Sequence, residues 1–432
     1  MTQRPDPAPP TALAFDPSCR VWTGTSTPGA VAVPELVGRL DIDEASLSWA
    51  ARDYGELVHH QPLAVLRPGD VGDISAILRF AADFSLPVVP RGQGHSLAGQ
   101  AQAPGGIVVD MSGIDHVHEV TADHVVVGAG ARWSQVLQAT LPLGLTPPVL
   151  TDFIGLSVGG TLSVGGLGGT SHRYGAQTDN VLALQVVVAD GSVLNCTAEE
   201  RRELFDSVRA NYGRGGIITC ATLRLVPAPD IVRYRKLKCP SLNDFLRVQR
   251  QLVRGGHVDH IEGHIKLREN GQPSFEVETA AFTDAADAAT ALEGIDRGEA
   301  VQLPYRDFVN RLAEGDLIIG EMGIGQSTHP WCNVLLPDGA AKSFLASATA
   351  DLHQELYGEF GLLLAYPLLT SKLTTPQMAL PAGELIYLAA ALRHAFADSP
   401  EVITSMTASN ERWFNDATAA NATLYAHPFI RA

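Results

Sequence analysis

The residues best suited to chemistry begin with His95, which sits in the stretch Leu86 to Gly99, LPVVPRGQGHSLAG. Val88 and Val89 read as a buried strand, and Arg91, Gly92, Gln93 and Gly94 follow as a loop whose glycines permit positive φ and close backbone approach. The imidazole of His95 is therefore presented from a tight turn. A second glycine-rich stretch, Val158 to Gly169 (VGGTLSVGGLGG), carries no charge and offers many backbone N–H groups. Such a lining suits an anion such as a pyrophosphate, and two loops of this kind suggest one bound dinucleotide. Two carboxylates complete the set: Asp152, flanked by Pro147, Pro148, Val149, Leu150, Phe153 and Ile154, and Glu262 in the alternating run HIEGHIKL. Each has an ordinary reading too. A histidine after a strand is most often a hydrogen-bonded polar residue, and glycine-rich stretches are most often turns. A loop aspartate caps turns, and a strand glutamate often lies on a solvated edge.

The elements that must position these groups can be read in order. The spacing predicts a strand at Ala64 to Arg67, a turn at Pro68-Gly69, and a helix from Val71 to Phe84 with Ile74, Ile77, Leu78 and Phe80 on its apolar face. The next strand runs into the His95 loop. GxGxS is not the GxGxxG fingerprint, so a Rossmann reading is weak. Two short β-rich runs follow (GGIVVDM and HVVVGAGARW), then a helix from Trp133 to Leu141. Beyond the glycine-rich segment come a hairpin turning at Asp190-Gly191, a helical piece with Leu204 and Phe205, and the strand GIITCATLRL. After a proline boundary at Pro227 to Pro229 we expect a helix over Leu242 to Val253, strands at His260 to Leu267 and Phe275 to Phe282, and an alanine-rich helix from Asp284 to Leu292. That alternation implies an antiparallel sheet covered by helices, acting as a lid over the cofactor. The expected organisation is a partly ordered leader over 1–35, a cofactor-binding domain over 36–228, a substrate-binding cap domain over 229–396, and a C-terminal return to the first domain over 397–432.

Composition bounds the partners. The 432 residues carry 31 basic and 47 acidic side chains, a formal net charge of −16, with 45% hydrophobic and 18% charged residues. This argues against a nucleic acid or an anionic membrane surface, which need clustered Lys and Arg, and favours a neutral or cationic small molecule. The five cysteines (Cys19, Cys196, Cys220, Cys239, Cys332) are scattered without CxxC spacing, so neither a disulfide framework nor a metal site is suggested. The N-terminal MTQRPDPAPPTALAF lacks a signal pattern and no segment has the apolar length of a membrane span, from which a cytoplasmic location is expected.

RGQGHSLAGQA, GGIVVDM and VGAGARW together resemble the first half of the vanillyl-alcohol-oxidase (PCMH-type) FAD-binding domain. TDFIGLSVGGTLS, HRYGAQTDNV, GRGGIIT and HPWCNVLLP narrow the resemblance to cytokinin dehydrogenases, in order and over most of the chain. The resemblance implies an α+β, two-domain vanillyl-alcohol-oxidase-like fold, an FAD-binding domain plus an antiparallel-sheet substrate domain. It further implies an FAD covalently attached through His95, whose imidazole would bond the flavin's C8 methyl. The segment from Pro142 to Leu162 has no cysteine, where doubly attached relatives carry one, so a single linkage is expected. Gln93 stands where the family often has histidine.

By the same resemblance Asp152 is the base that accepts the proton of the substrate amine while hydride leaves for flavin N5, and it also lies among the cofactor contacts. Glu262 is a hydrogen-bond partner of the purine ring. Arg91, Gly92, Gly94, Ser96, Gln100, Gly159, Gly160, Thr161, Ser163, Gly166 and Ile218 are the implied FAD contacts. His172 and Tyr174 lie in a family motif with a structural or flavin-edge role, and Trp331 either walls the substrate cavity or packs in a core. The C-terminus, NDATAANATLYAHPFIRA, lacks the family's DP…LxPGQ element. The activity implied is oxidation of N6-substituted adenines followed by imine hydrolysis, with oxygen or a quinone as electron acceptor. The alternatives are a covalent-flavin oxidase of another amine or alcohol, and a flavin-binding protein without turnover.

Overall fold

The structure is a computed structural model that describes residues 13–256, 258–282, 292–312, 327–352, 361–395 and 399–426. The alanine-rich helix expected over Asp284 to Leu292 falls almost wholly outside the described residues, as do the first twelve residues of the expected leader. The chain divides into two compact units: Met1–Ala139, Gly155–Val164 and Val181–Arg224 form the first, and Thr140–Ile154, Gly165–Asn180 and Leu225–Ala432 the second.

In the first unit, Ala64–Arg67 and Val88–Arg91 both pair parallel to Ile107–Asp110, and Arg39–Asp41 closes the edge antiparallel to Ala64–Arg67. Ile107, Val108 and Val109 are fully buried, the continuous apolar run that a parallel strand covered on both faces requires. The helix Val71–Asp83 begins at Asp70, whose carboxylate accepts the N–H of Asp73, and buries Ile74, Ile77, Phe80 and Ala81. Asp73 in turn accepts the backbone N–H groups of Val37, Gly38 and Gly69 at 2.7–2.8 Å, tying the turn before the helix to the edge strand's approach. A five-stranded antiparallel sheet follows, ordered Val193–Thr197, Val181–Val187, Ile217–Arg224, His124–Gly128, Val117–Val120.

The expected leader is ordered from residue 13 on. Leu13–Asp16, Val21–Gly24 and Val31–Ala32 form a three-stranded sheet in which Phe15 is fully buried. Phe15 packs on Trp22 and Phe84, with ring centroids 5.0 and 5.2 Å apart, and Trp22 lies over Phe80. These aromatic contacts come from the far end of the helix Val71–Asp83 and the residue after it. Nothing local in the proline-rich sequence announces them.

The second unit is built on eight antiparallel strands, in the order Val301–Pro304, Ile231–Cys239, Pro273–Ala281, His260–Leu267, Leu362–Leu369, Leu385–Leu392, Cys332–Pro337, Thr423–Leu424. Strand alternation sends Ile261, Ile265, Val277 and Leu237 to one face, where they form a core with Phe245 and Leu252 of the helix Leu242–Gly255, Leu345 of Asp338–Ala350, and Trp413 of Pro400–Ala419. Full burial of each such side chain is worth about 1.5–3 kcal/mol. The first of these helices is capped at both ends, by the Ser241 hydroxyl accepting the Asp244 N–H and by Gly256 at φ +64°.

Two differences from the sequence reading arise here. Residues 140–154 and 165–180, expected inside one continuous domain, group with the second unit. Leu145–Thr146 pairs with Val226–Pro227, the Ile261 N–H donates to the Gly169 carbonyl at 3.0 Å, and Thr146 Oγ1 meets the Tyr305 hydroxyl at 3.0 Å. The described C-terminal residues 399–426 also group with the second unit. Their helix joins the core just described, and Thr423–Leu424 pairs with Val334 and Leu335. No helix among the described residues is long and apolar enough to cross a membrane. The five cysteines are free; burial pushes the Cys239 and Cys332 thiols up to about 12.

Candidate active site

In the first unit the two glycine loops converge. The parallel strand Val88–Arg91 ends on Arg91, which is buried, donates to the Arg52 carbonyl at 2.5 Å and lies over the Trp49 ring at 4.5 Å. Gly92 follows, and a Cβ there would sit 1.9 Å from Ser157 Oγ, so glycine is what lets the His95 loop reach the head of the second loop. Gly94 has φ +65°, and its missing Cβ would collide with the Arg91 guanidinium at 2.2 Å. His95 is half-buried and stacks on Tyr54, ring centroids 3.9 Å apart and 13° from parallel. The turn is clamped from below by Asp53, whose Oδ2 accepts the Ser96 hydroxyl at 3.0 Å and the Gly99 N–H at 2.6 Å. Burial raises the Asp53 carboxyl above its usual range. Gln100 accepts the Ala98 N–H and so shapes the same loop.

The second loop is partly helical: Val158–Leu162 forms five residues of helix after Ser157, whose hydroxyl caps no N–H. Gly159 lies against Ala129, where a Cβ would come within 2.8 Å of the alanine's own Cβ, and the Gly159 N–H donates to the Ala129 carbonyl. Gly160 is crowded only by Ser157 Oγ, at 2.8 Å. The Thr161 hydroxyl is engaged, accepting the Trp133 indole N–H at 2.9 Å and donating to the Val158 carbonyl, and Ser163 donates to the Gly159 carbonyl. Ile218 is buried on the strand Ile217–Arg224. A histidine on a clamped turn, beside small, uncharged residues held in close approach, fits the ring and pyrophosphate of a flavin dinucleotide. Of the residues read as cofactor contacts, Asp152 and Gly166 lie in the second unit. Gly166 has φ +74°, and a Cβ there would meet Gln177 Oε1 at 2.1 Å.

In the second unit a charged cluster gathers on the sheet face opposite the apolar core. The alternation of His260–Leu267 puts His260, Glu262 and His264 on one face. Arg311, just after the short helix Tyr305–Val309, reaches both carboxylates singled out from the sequence: its Nη2 donates to Asp152 Oδ1 at 2.8 Å and to Glu262 Oε2 at 3.0 Å. Glu262 is buried, and its Oε1 makes no hydrogen bond among the described residues, lying 3.4 Å from His260 Nε2. Burial, then the negative charge of Glu262, push Asp152 up to about 7 against the opposing pull of Arg311. Burial holds His260 down at about 3, helped by Arg311, so its ring is neutral. Asp152 keeps 29% side-chain exposure, so a carboxyl poised near neutrality stays open to an incoming molecule.

Several further residues find their places. Gly169 must be glycine because a Cβ would fall 2.2 Å from the His260 ring. His172 is buried between the Gly169 and Val258 carbonyls, at 3.0 and 3.1 Å, and burial lowers it to about 4, which makes it a neutral structural tie. Tyr174 is exposed beside Arg173. Trp331 lies half-buried ahead of the strand Cys332–Pro337, edge-on to His329 at 6.1 Å. Sequence reasoning missed Arg311, Asp53 and Tyr54, none of which belongs to a motif it used. His260 and His264 were legible, since they stand two residues either side of Glu262.

Residues 62–197 match the family described as FAD binding domain, and residues 298–427 match cytokinin dehydrogenase 1, FAD and cytokinin binding. The chain is 36% identical over 391 residues to an uncharacterized oxidoreductase of the fasciation locus of Rhodococcoides fascians, covering 89% of this chain and 88% of that one. It is 31% identical over 431 residues to cytokinin dehydrogenase 10 of Oryza sativa subsp. japonica, covering 87% and 78%. The crystal structure of 6-hydroxy-D-nicotine oxidase from Arthrobacter nicotinovorans shares the fold, with TM-score 0.70 and 22% identity over 88% of this chain and 87% of the other. The α+β, vanillyl-alcohol-oxidase-like architecture and FAD as cofactor, both expected from the sequence, therefore stand. This chain belongs to the cytokinin dehydrogenase family and is an FAD-dependent oxidoreductase.

Proposed function

We propose that this oxidoreductase acts on N6-substituted adenines, taking a proton onto Asp152 and releasing the side chain after imine hydrolysis. FAD, when bound, supplies the hydride acceptor, and the chain's own residues do the rest. The observation that carries the reading is the Asp152 carboxyl held near 7 beside Arg311 and Glu262. A carboxylate at that value is ionised for part of the population at neutral pH and still basic enough to accept an amine proton. Arg311 orients it and offsets the charge of its neighbour. Glu262 Oε1 is a buried acceptor without a hydrogen bond among the described residues, the group a purine ring N–H would satisfy. His95 is the proposed point of covalent attachment: stacking on Tyr54 fixes its ring plane, and Asp53 fixes the turn that carries it. The implied loop contacts Arg91, Gly92, Gly94, Ser96, Gln100, Gly159, Gly160, Thr161, Ser163 and Ile218 would hold the flavin, with the electron acceptor an oxygen molecule or a quinone.

A second reading keeps the flavin and the base but changes the substrate to another amine or an alcohol. The neutral His260 ring beside Arg311 favours it, because that pair could receive a hydroxyl as readily as a ring nitrogen. One experiment separates the two. The purified yellow protein is mixed anaerobically with isopentenyladenine, and in parallel with sugars and cyclic amines. Bleaching of the flavin by the adenine alone is the expected result. Bleaching only by the others moves the assignment to the second reading, and no bleaching by any of them removes both.

A further inference from the structure

We infer that His264, oriented by Glu278, is the outlet through which the proton collected by Asp152 and Glu262 leaves the second unit. This rests on the function proposed above. Each turnover leaves one proton on Asp152, and the base must be cleared before the next substrate is oxidised. Asp152 is bonded to Arg311, which has no proton to exchange at neutral pH, and its open side is the one a bound molecule covers, so the neighbouring Glu262 is its available acceptor.

Behind Glu262 the sheet carries a chain of groups with no other evident purpose. His264 Nε2 lies 3.9 Å from Glu262 Oε2, and His264 Nδ1 lies 3.4 Å from Glu278 Oε1. Both ring nitrogens thus face carboxylates, and Nδ1 makes no hydrogen bond among the described residues. A small ring rotation or one water closes the longer gap. Glu278 is fixed from its other side by Lys236 Nζ at 3.0 Å and by the Tyr234 hydroxyl. The facing His264 ring, Tyr234 and Lys236 together hold Glu278 far below the usual carboxylate range despite its burial. It therefore remains ionised and serves as acceptor for Nδ1–H and counter-charge for the ring while that ring carries an extra proton. Beyond Glu262 the side-chain exposure rises, from 1% for Glu262 to 13% for His264.

The step balances simply: the proton moves from Asp152 to Glu262, then to Nε2 of His264, then to water, and only O–H and N–H bonds change. The charged and titratable groups on the sheet face of His264 are His260, Glu262 and Lys266 on its own strand, Glu276 and Glu278 on the next, Tyr234, Lys236 and Lys238 beyond it, and Tyr366 on the strand at its other side, with Arg311 bonded to Glu262. The same three side chains, Glu262, His264 and Glu278, bring potential ligand atoms within 4.8 Å of one another. Lys236 and Arg311 already supply positive charge there, which favours proton transfer over a bound cation.

The test is anaerobic stopped-flow mixing with isopentenyladenine, following flavin absorbance and a pH-indicator dye together. In the native protein the two signals should run together. In His264→Gln, and to a lesser degree in Glu278→Gln, proton release should lag flavin bleaching at least tenfold, with an enlarged solvent isotope effect. Free imidazole should restore the coupling in His264→Ala. Synchronous signals in all three variants overturn the inference. Coupling lost on dialysis against EDTA and restored by zinc also overturns it, by assigning the cluster to a metal. Should isopentenyladenine fail to bleach the native protein, the proposed substrate fails, and the outlet is judged on ring ¹⁵N shifts of His264 between pH 5 and 9. A ring that takes up a proton in that range, with a response altered in Glu278→Gln, upholds it. A ring locked in one neutral tautomer throughout overturns it.

Discussion

Replacing Arg311 by glutamine isolates the electrostatics of Asp152, the proposed base. The guanidinium lies 2.8 Å from Asp152 and 3.0 Å from Glu262, so the charge centres are about 4 Å apart. At an effective dielectric near 20 such a pair is worth about 4 kcal/mol. That energy corresponds to about 3 pK units. Glutamine still donates a hydrogen bond and water relaxes the site, so a net rise of about 2 units in the Asp152 pKa is expected. Since Asp152 starts near 7, the ionised fraction at pH 7 should fall on the order of fiftyfold. Glu262→Gln removes the like charge that helps to raise Asp152 and should move the titration the other way. The assay is the pH dependence of anaerobic flavin bleaching. In the native enzyme the rate should climb with pH through about 7, because the base works only when ionised. In Arg311→Gln that limb should shift to higher pH, and in Glu262→Gln to lower pH. Unshifted limbs, or shifts of the same sign, would refute the reasoning.

Three other outcomes follow from the same geometry. Asp152→Asn should leave a yellow protein whose flavin is reduced about 10²–10⁴-fold more slowly. It should also flatten the pH dependence of stability: with the folded pKa raised, native stability falls as pH climbs from about 4 to about 7, a slope that urea titrations would no longer show. Gly92→Ala places a methyl 1.9 Å from Ser157 Oγ and should cost about 1–3 kcal/mol of stability along with flavin content, read by thermal melting and by the ratio of flavin to protein absorbance. Acid denaturation should leave the colour on the native polypeptide and release it from His95→Ala; colour lost from both would remove His95 as the attachment point.

The glycine density, the strand leading into Gly94-His95-Ser96 and the two-residue period of HIEGHIKL were legible in the sequence because each is a local property of the backbone. Periodicity alone placed His260, Glu262 and His264 on one face of a strand. It could not say that the face would be buried against charge. Arg311 stands 159 residues from Asp152 and 49 from Glu262, and no spacing rule connects them. Their meeting follows from how the segments 140–154 and 165–180 join the second unit, and the raised Asp152 carboxyl is a consequence of that meeting. Likewise Phe15 read as part of a partly ordered leader, and its burial comes from Trp22 and Phe84 closing around it, while the C-terminal helix found its place only through the core around Trp413. Sequence period decides which side chains share a face. What lies opposite that face is decided by long-range packing, because burial, counter-charge and desolvation are properties of the neighbours that the fold supplies.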